Sequence, residues 1–292
     1  MIKKFWTGQS EAWKSPGSRS RGLQIRDVKA SLDRPISQPC TARQFDDASY
    51  AYWCQRIGET PRTHRKQWEF CYIAQVLAST GMLVPGRRGL GFGVGNEPLV
   101  AMFASAGPRL LATDQGSDMA HRSGWVETEQ HAAGKAQLNS RGLCDVDLFD
   151  ELVEFRFVDM NEIPVDIGSF DFVWSACAFE HLGSIARGKE FILESSRLLE
   201  PGGVAVHTTE YNCSSNRETL DNSSTVLYRR RDFEDMGRML AAEGFDVEIT
   251  FDPGDGPLDR HIDVPPFSES GHLRLKLEDW ITTSFGFVIR KP

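Results

Sequence analysis

The sequence lacks several features that would assign it quickly. No apolar run approaches the ~20 residues that cross a bilayer. The opening Met1-Ile2-Lys3-Lys4-Phe5-Trp6 has no apolar stretch behind it of the kind a secretory signal carries. The expectation is a cytoplasmic protein with no membrane partner. Cysteine is sparse: the six residues (Cys40, Cys54, Cys71, Cys144, Cys177, Cys213) form no C-x-x-C pair. That argues against a zinc ribbon or a disulfide framework and for reduced thiols. Positive charge is in deficit, 33 Lys and Arg against 41 Asp and Glu, for a formal net charge of −8. Such a chain repels a phosphate backbone unless a local patch overrides the sum. The one compact basic run, Arg229-Arg230-Arg231, precedes a helix start, where a solvated cap or a single anionic substrate group accounts for it. Nucleic acid is not an expected partner.

What is present has α/β character. Residues 1 to about 50 are polar, without sustained periodicity, and read as an irregular N-terminal arm or flap. From Thr63 to Ser79, Trp68, Tyr72, Ile73, Val76 and Leu77 recur at helical spacing, and Gly81 stops the helix. Strands are then expected near Met82–Leu90, Arg109–Thr113, Phe155–Val158, Phe170–Ser175, Val204–Thr208, Phe245–Phe251 and Ile281–Ile289. Helices lie between them at Leu99–Ala106, Ile185–Leu199 and Asp232–Ala242. This alternation implies a doubly wound, mostly parallel seven-stranded sheet. The last connection, about 252–279, is a Pro/Gly/Asp-rich excursion rather than a helix, so the final two strands are expected to pair antiparallel around it, the last one running antiparallel to the sheet. The division is a 1–60 arm and a 61–292 domain with a substrate-side excursion, since loops of that length are usually functional.

The chemistry gathers at strand ends. Gly91, Gly93 and Gly95 follow the first strand, where bare backbone approaches a ligand at the carboxyl edge of a sheet. A dinucleotide fingerprint needs Gly-x-Gly-x-x-Gly, and here the third glycine comes one residue early. Asp114 closes the next strand about 20 residues on, where a carboxylate can accept both ribose hydroxyls. Asp159 and Met160 close the third, as a carboxylate beside an apolar side chain suits an adenine. Each has a plainer reading as a turn or cap residue.

With those residues in register, the chain resembles the class I, Rossmann-like S-adenosylmethionine-dependent methyltransferases over roughly Val84–Phe251. The carriers are Gly-Leu-Gly-Phe-Gly-Val-Gly (89–95), Asp114, Val158-Asp159-Met160, Phe170-Asp171-Phe172-Val173-Trp174, Glu180-His181-Leu182 and Leu-Leu-Glu-Pro-Gly-Gly (198–203). The resemblance implies methionine contacts at Gly91, Gly93 and Gly95, ribose contacts at Asp114, and adenine contacts at Asp159 and Met160. Cys177 would pass the sulfonium side. The family's acid two residues before the first loop glycine is replaced by Gly89, which leaves Glu97 or loop carbonyls for the methionine amino group.

Methyl transfer is an in-line displacement that rests mainly on positioning and desolvation, and an oxygen acceptor also benefits from a base. Candidate catalytic groups are His181, His207 and Glu210, with Glu180, Tyr211, Asn212 and His261 on the substrate side. Glu210, His261 and Asp263 could hold a divalent metal, although no contiguous ligand pattern supports one. Ser175-Ala176-Cys177-Ala178 is not the Asn/Asp-Pro-Pro-Tyr/Phe signature of amino-methylating DNA enzymes. The expectation is O-methylation of a small polar acceptor, with a saccharide as one candidate. A homo-oligomer stays open. The rivals are a nicotinamide-dependent oxidoreductase, disfavoured by the glycine spacing and the lack of Tyr-x-x-x-Lys, and a non-catalytic S-adenosylmethionine-binding subunit.

Overall fold

A computed structural model describes residues 21–116 and 134–292; the start of the expected arm and part of the polar stretch after Asp114 lie outside the described residues. In chain order the elements are β1 (Leu23–Arg26), β2 (Gln38–Pro39), α1 (Ala48–Arg56), α2 (Arg65–Ser79), β3 (Arg88–Phe92), α3 (Leu99–Ala104) and β4 (Arg109–Asp114). They continue with α4 (Val146–Leu152), β5 (Val153–Phe157), β6 (Phe170–Ala176), α5 (Ile185–Arg197), β7 (Leu199–Asn212) and α6 (Arg230–Ala242). The last are β8 (Val247–Thr250), the single turn α7 (Pro257–Arg260), β9 (Leu275–Leu277) and β10 (Trp280–Arg290). Among the described residues no helix is long and apolar enough to cross a membrane.

The main sheet has the order β5-β4-β3-β6-β7-β10-β2, with β9 on β10. Strands β3 to β7 pair in parallel, and β10 lies antiparallel to β7 from Thr282 opposite Asn212 to Arg290 opposite Val204. The expected mostly parallel sheet with a final antiparallel strand is therefore present. The sixth strand differs in its partner: β8 pairs with β1 in a separate parallel ladder, and single bridges (Ser37–Ile249, Asp246–Arg290) tie it to the rest.

Helices cover both faces, which is why the central strands read as near-continuous apolar runs. Side chains alternate along β6: Phe172 and Trp174 join the core under α1, α2 and α3, while Val173 joins the core under α5 and α6. Residues expected to form an irregular arm are, from Arg21 onward, part of this body. In α1, Tyr50 and Trp53 are buried with their polar tips satisfied, the Tyr50 hydroxyl on Gln67 Oε1 at 2.6 Å and Trp53 Nε1–H on Gln75 Oε1 at 2.7 Å. The buried thiols of Cys54 and Cys71 meet at 3.7 Å between α1 and α2.

The 252–279 excursion folds back on the start of α2. The Arg65 amide donates to the His272 carbonyl, and the His272 ring stacks on His64 at 4.7 Å. His272 Nδ1 is held by Asp263 Oδ2 at 2.6 Å. This packing fixes the first turn of α2 against the carboxyl end of the sheet, where its charged residues matter.

Candidate active site

The glycine run is shaped by two aromatic rings on β6. A Cβ at Gly91 would lie 2.4 Å from the Trp174 ring, and one at Gly89 would lie 2.3 Å from the Phe172 ring. Gly91 is buried and makes room for Trp174. At Gly89, where the resemblance implies an acid, the Phe172 ring occupies the space that a side chain would take. The residues that turn at the edge are Gly93 and Gly95, with φ of 56° and 48°, in the left-handed region glycine enters cheaply. A Cβ at Gly93 would sit 2.9 Å from Ala178 Cβ and 3.4 Å from Met160 Sδ, so three strand ends converge there. Asp114 is 7 % exposed, and its Oδ2 accepts the Gly95 N–H at 3.2 Å. Asp159 Oδ1 accepts the Asn161 N–H at 2.8 Å, a turn contact. Glu97 accepts Trp174 Nε1–H at 3.2 Å, and burial pushes its carboxyl well above the usual range.

Beyond the turn, Cys177 adopts φ of 49° and ties back to β7 through the Thr208 carbonyl. Its thiol points toward Glu69 Oε1 at 3.5 Å and Glu210 Oε1 at 3.9 Å. Glu210 is nearly buried, with Arg65 on Oε1 at 2.6 Å and the Thr282 hydroxyl on Oε2 at 2.8 Å. Burial works to raise its pKa, but Arg65, Lys66 and the Thr282 hydroxyl together hold it below the usual carboxylate value. Glu69 takes Thr208 Oγ1–H on Oε2 at 3.0 Å and the Ser284 hydroxyl on Oε1. Lys66 stands 3.6 Å from Glu69 with its side chain 42 % exposed.

The short turn Phe179–His181 brings Glu180 and His181 to the same place. Glu180 Oε2 accepts from the Thr209 hydroxyl at 2.9 Å, and burial raises its pKa. His181 Nδ1 meets the Ser224 carbonyl at 2.8 Å. A carbonyl can only accept, so Nδ1 carries a proton, and in the neutral ring Nε2 is the acceptor nitrogen.

Sequence reasoning missed Arg65, Lys66 and Glu69. Charged residues in a first helical turn read as solvated, and the available signal was the Arg65/Glu69 pair at i,i+4 on a helix buried nearly all round.

Other expected residues do not join the site. His207 is fully buried between Phe179 and Phe191, with Nδ1 on Ser175 Oγ at 2.8 Å. Sealed in that core it has no route to a substrate proton, and desolvation lowers its pKa from 6.5 to about 3. Tyr211 packs among Phe233, Phe251 and Phe285. Asn212 caps a turn, its Oδ1 accepting the Ser214 and Ser215 amides at 2.9 and 3.0 Å. His261 is exposed on the excursion. The metal set Glu210, His261 and Asp263 is not assembled either. Asp263 is engaged by His272 and Ser268, and the ligand atoms that do lie together, within 4.8 Å, belong to Cys177, Glu180 and Glu210. A depression of about 410 Å³ between Arg88, Arg109 and Arg156 lies at the opposite, amino end of the strands.

His207 makes an acid-stability prediction. Its native pKa is depressed, so below pH 6.5 the unfolded chain takes up a proton that the native chain refuses. The contribution is intact above that pH and is lost as pH falls toward 3. Urea melts of the wild type should lose up to ~1.4 kcal/mol per pH unit from this site across the window, with a shallower slope in His207→Leu. Equal slopes in the two proteins would contradict a neutral buried imidazole.

The site combines a glycine turn at the carboxyl edge with an acid closing the adjacent strand, and residues 90–207 match the model of the methyltransferase domain. That match agrees with the resemblance of the sequence to the Rossmann-like, S-adenosylmethionine-dependent class. The residues fit that cofactor: a side chain at Gly93 would fill the cradle between Ala178 and Met160, and Asp114 closes the strand beside it.

Among solved structures, the chain is similar to magnesium protoporphyrin IX methyltransferase from Synechocystis PCC 6803 (12 % identity, 86 % of this chain and 98 % of that one, TM-score 0.47). It is also similar to a methyltransferase from Clostridium acetobutylicum ATCC 824 (11 %, 84 % and 93 %, TM-score 0.43). A third is the glycopeptide N-methyltransferase MtfA (16 %, 54 % of this chain, TM-score 0.37), of which the chain spans 59 %. A search of curated proteins gives no match.

Proposed function

We propose that this methyltransferase acts on a hydroxyl of a small polar acceptor, with a saccharide or another polyhydroxy compound as the candidate class. Gly93, Gly95, Asp114 and Met160 would hold S-adenosylmethionine, which supplies the electrophilic methyl group. Cys177, Glu210 and the first turn of α2 line the acceptor side. The observation that carries an oxygen acceptor is the Ser224 carbonyl on His181 Nδ1. It sets the imidazole in the tautomer whose Nε2 can take a hydroxyl proton, beside Glu180. An alcohol is a poor nucleophile until that proton has somewhere to go. Arg65 and Glu210 neutralise one another and hold the floor rigid. Little further chemistry is needed, because in-line transfer depends on alignment and exclusion of water.

The test is incubation with methyl-labelled S-adenosylmethionine and a panel of hydroxylated small molecules, with mass spectrometry of the product. The expected result is an O-methyl ether whose formation needs His181. Label found only on nitrogen, carbon or sulfur would contradict the assignment of the acceptor atom.

A further inference from the structure

The acceptor side holds more acid than base. Glu180 feels the charges of His181, Lys66 and Glu210, and Glu210 those of Arg65 and Lys66. Most carboxylate oxygens around Cys177 are already engaged. Arg65 and Thr282 take the two oxygens of Glu210, Ser284 and Thr208 those of Glu69, and Thr209 takes Oε2 of Glu180. Glu180 Oε1 is the exception. The side chain is 0 % exposed, yet among the described residues this oxygen has no hydrogen-bond partner within reach, although the Cys177 thiol acts on the same carboxylate. It lies 4.0 Å from His181 Nε2, and the Glu180 carboxylate belongs to the group whose ligand atoms lie within 4.8 Å of the Cys177 thiol and Glu210. A buried carboxylate oxygen left without a donor is costly, and a cationic donor satisfies it best.

We propose that the acceptor is a vicinal amino alcohol, with its ammonium donating to Glu180 Oε1 and its neighbouring hydroxyl facing His181 Nε2. The proposal rests on the O-methylation reading and names the substrate class for it. Adjacent carbons hold a nitrogen and an oxygen close enough together to address two protein atoms 4.0 Å apart. The ammonium enters from the Cys177 side, where that residue is part-exposed. A divalent ion on Cys177, Glu180 and Glu210 fits less well. It would have to compete with Arg65 or the Thr282 hydroxyl for a Glu210 oxygen and strip a proton from a thiol whose pKa burial raises. A monocation needs only the oxygen that is free.

The test is calorimetry on the full chain, first with S-adenosylhomocysteine and then, on the loaded protein, with glucosamine, glucose and N-acetylglucosamine at pH 7. Glucosamine should bind at least about tenfold tighter than either neutral sugar, the worth of one charge-assisted hydrogen bond. That preference should vanish in Glu180→Gln and persist in Glu180→Asp. Intact S-adenosylhomocysteine binding with no preference for glucosamine overturns the proposal and leaves the methyltransferase reading standing. Loss of S-adenosylhomocysteine binding in the wild type sinks both. Tight Mn²⁺ or Zn²⁺ binding that Glu180→Gln abolishes, without an amine preference, replaces the ammonium by a metal. If Glu180→Gln fails to fold, the wild-type comparison of the amine with its acetylated counterpart decides alone.

Discussion

Arg65→Ala is expected to cost about 3–5 kcal/mol of folding stability, the penalty for stranding a buried charge. In the wild type, Arg65 lies 2.6 Å from Glu210 and 3.8 Å from Glu69, and both carboxylates are almost completely buried. Without the guanidinium, two acids remain in a poorly solvated floor with only half-exposed Lys66 to offset them. Thermal unfolding should drop by roughly 6–20 °C, at ~2–4 °C per kcal/mol for a domain of this size. The double variant Arg65→Ala/Glu210→Gln should recover part of the loss, because it removes one of the stranded charges. Urea and thermal melts of the two singles and the double measure this coupling. A loss below ~1 kcal/mol would show that water reaches the cluster, and the rigid floor described above would then be wrong.

His181→Ala should lower kcat by about 10²–10⁴-fold, the range for removing a positioned general base. The imidazole is oriented by the Ser224 carbonyl at 2.8 Å, on the acceptor side of the proposed site, so S-adenosylhomocysteine affinity should be unchanged. The split between kcat and cofactor binding separates this role from a structural one. A kcat within about threefold of wild type would move the proton elsewhere, with Glu180 the next candidate.

The alternation of strands and helices was legible because a parallel strand buried on both faces leaves a short apolar run between turn signals, as Phe170–Ala176 does. Helix α1 was not. Its sequence Ala-Ser-Tyr-Ala-Tyr-Trp-Cys-Gln-Arg has little apolar periodicity, and its burial depends on Tyr50 and Trp53 finding partners on α2. Nor could a local pattern show that Leu23–Arg26 would supply the parallel partner of Val247–Thr250, more than two hundred residues away.

The placement of Gly93, Gly95 and Asp114 at one sheet edge was legible because strand ends and glycine turns are local signals. His207 was misread for the same reason in reverse. A polar residue near the end of a buried strand looks like a site residue, whereas Phe179 and Phe191, which cover it, come from other segments. The α2 charges were invisible as site residues until the sheet edge and β10 folded against them.

The central claim, that the turn from Gly93 to Gly95 and Asp114 hold S-adenosylmethionine, is tested most directly by calorimetry with S-adenosylhomocysteine on the wild type and Asp114→Ala. One-to-one binding is expected in the wild type. The variant should bind about 30-fold or more weakly, as removing charge-assisted contacts to the two ribose hydroxyls costs ~2 kcal/mol or more. NAD should give no heat with either protein. Equal affinity of the two proteins for S-adenosylhomocysteine would contradict this placement of the cofactor.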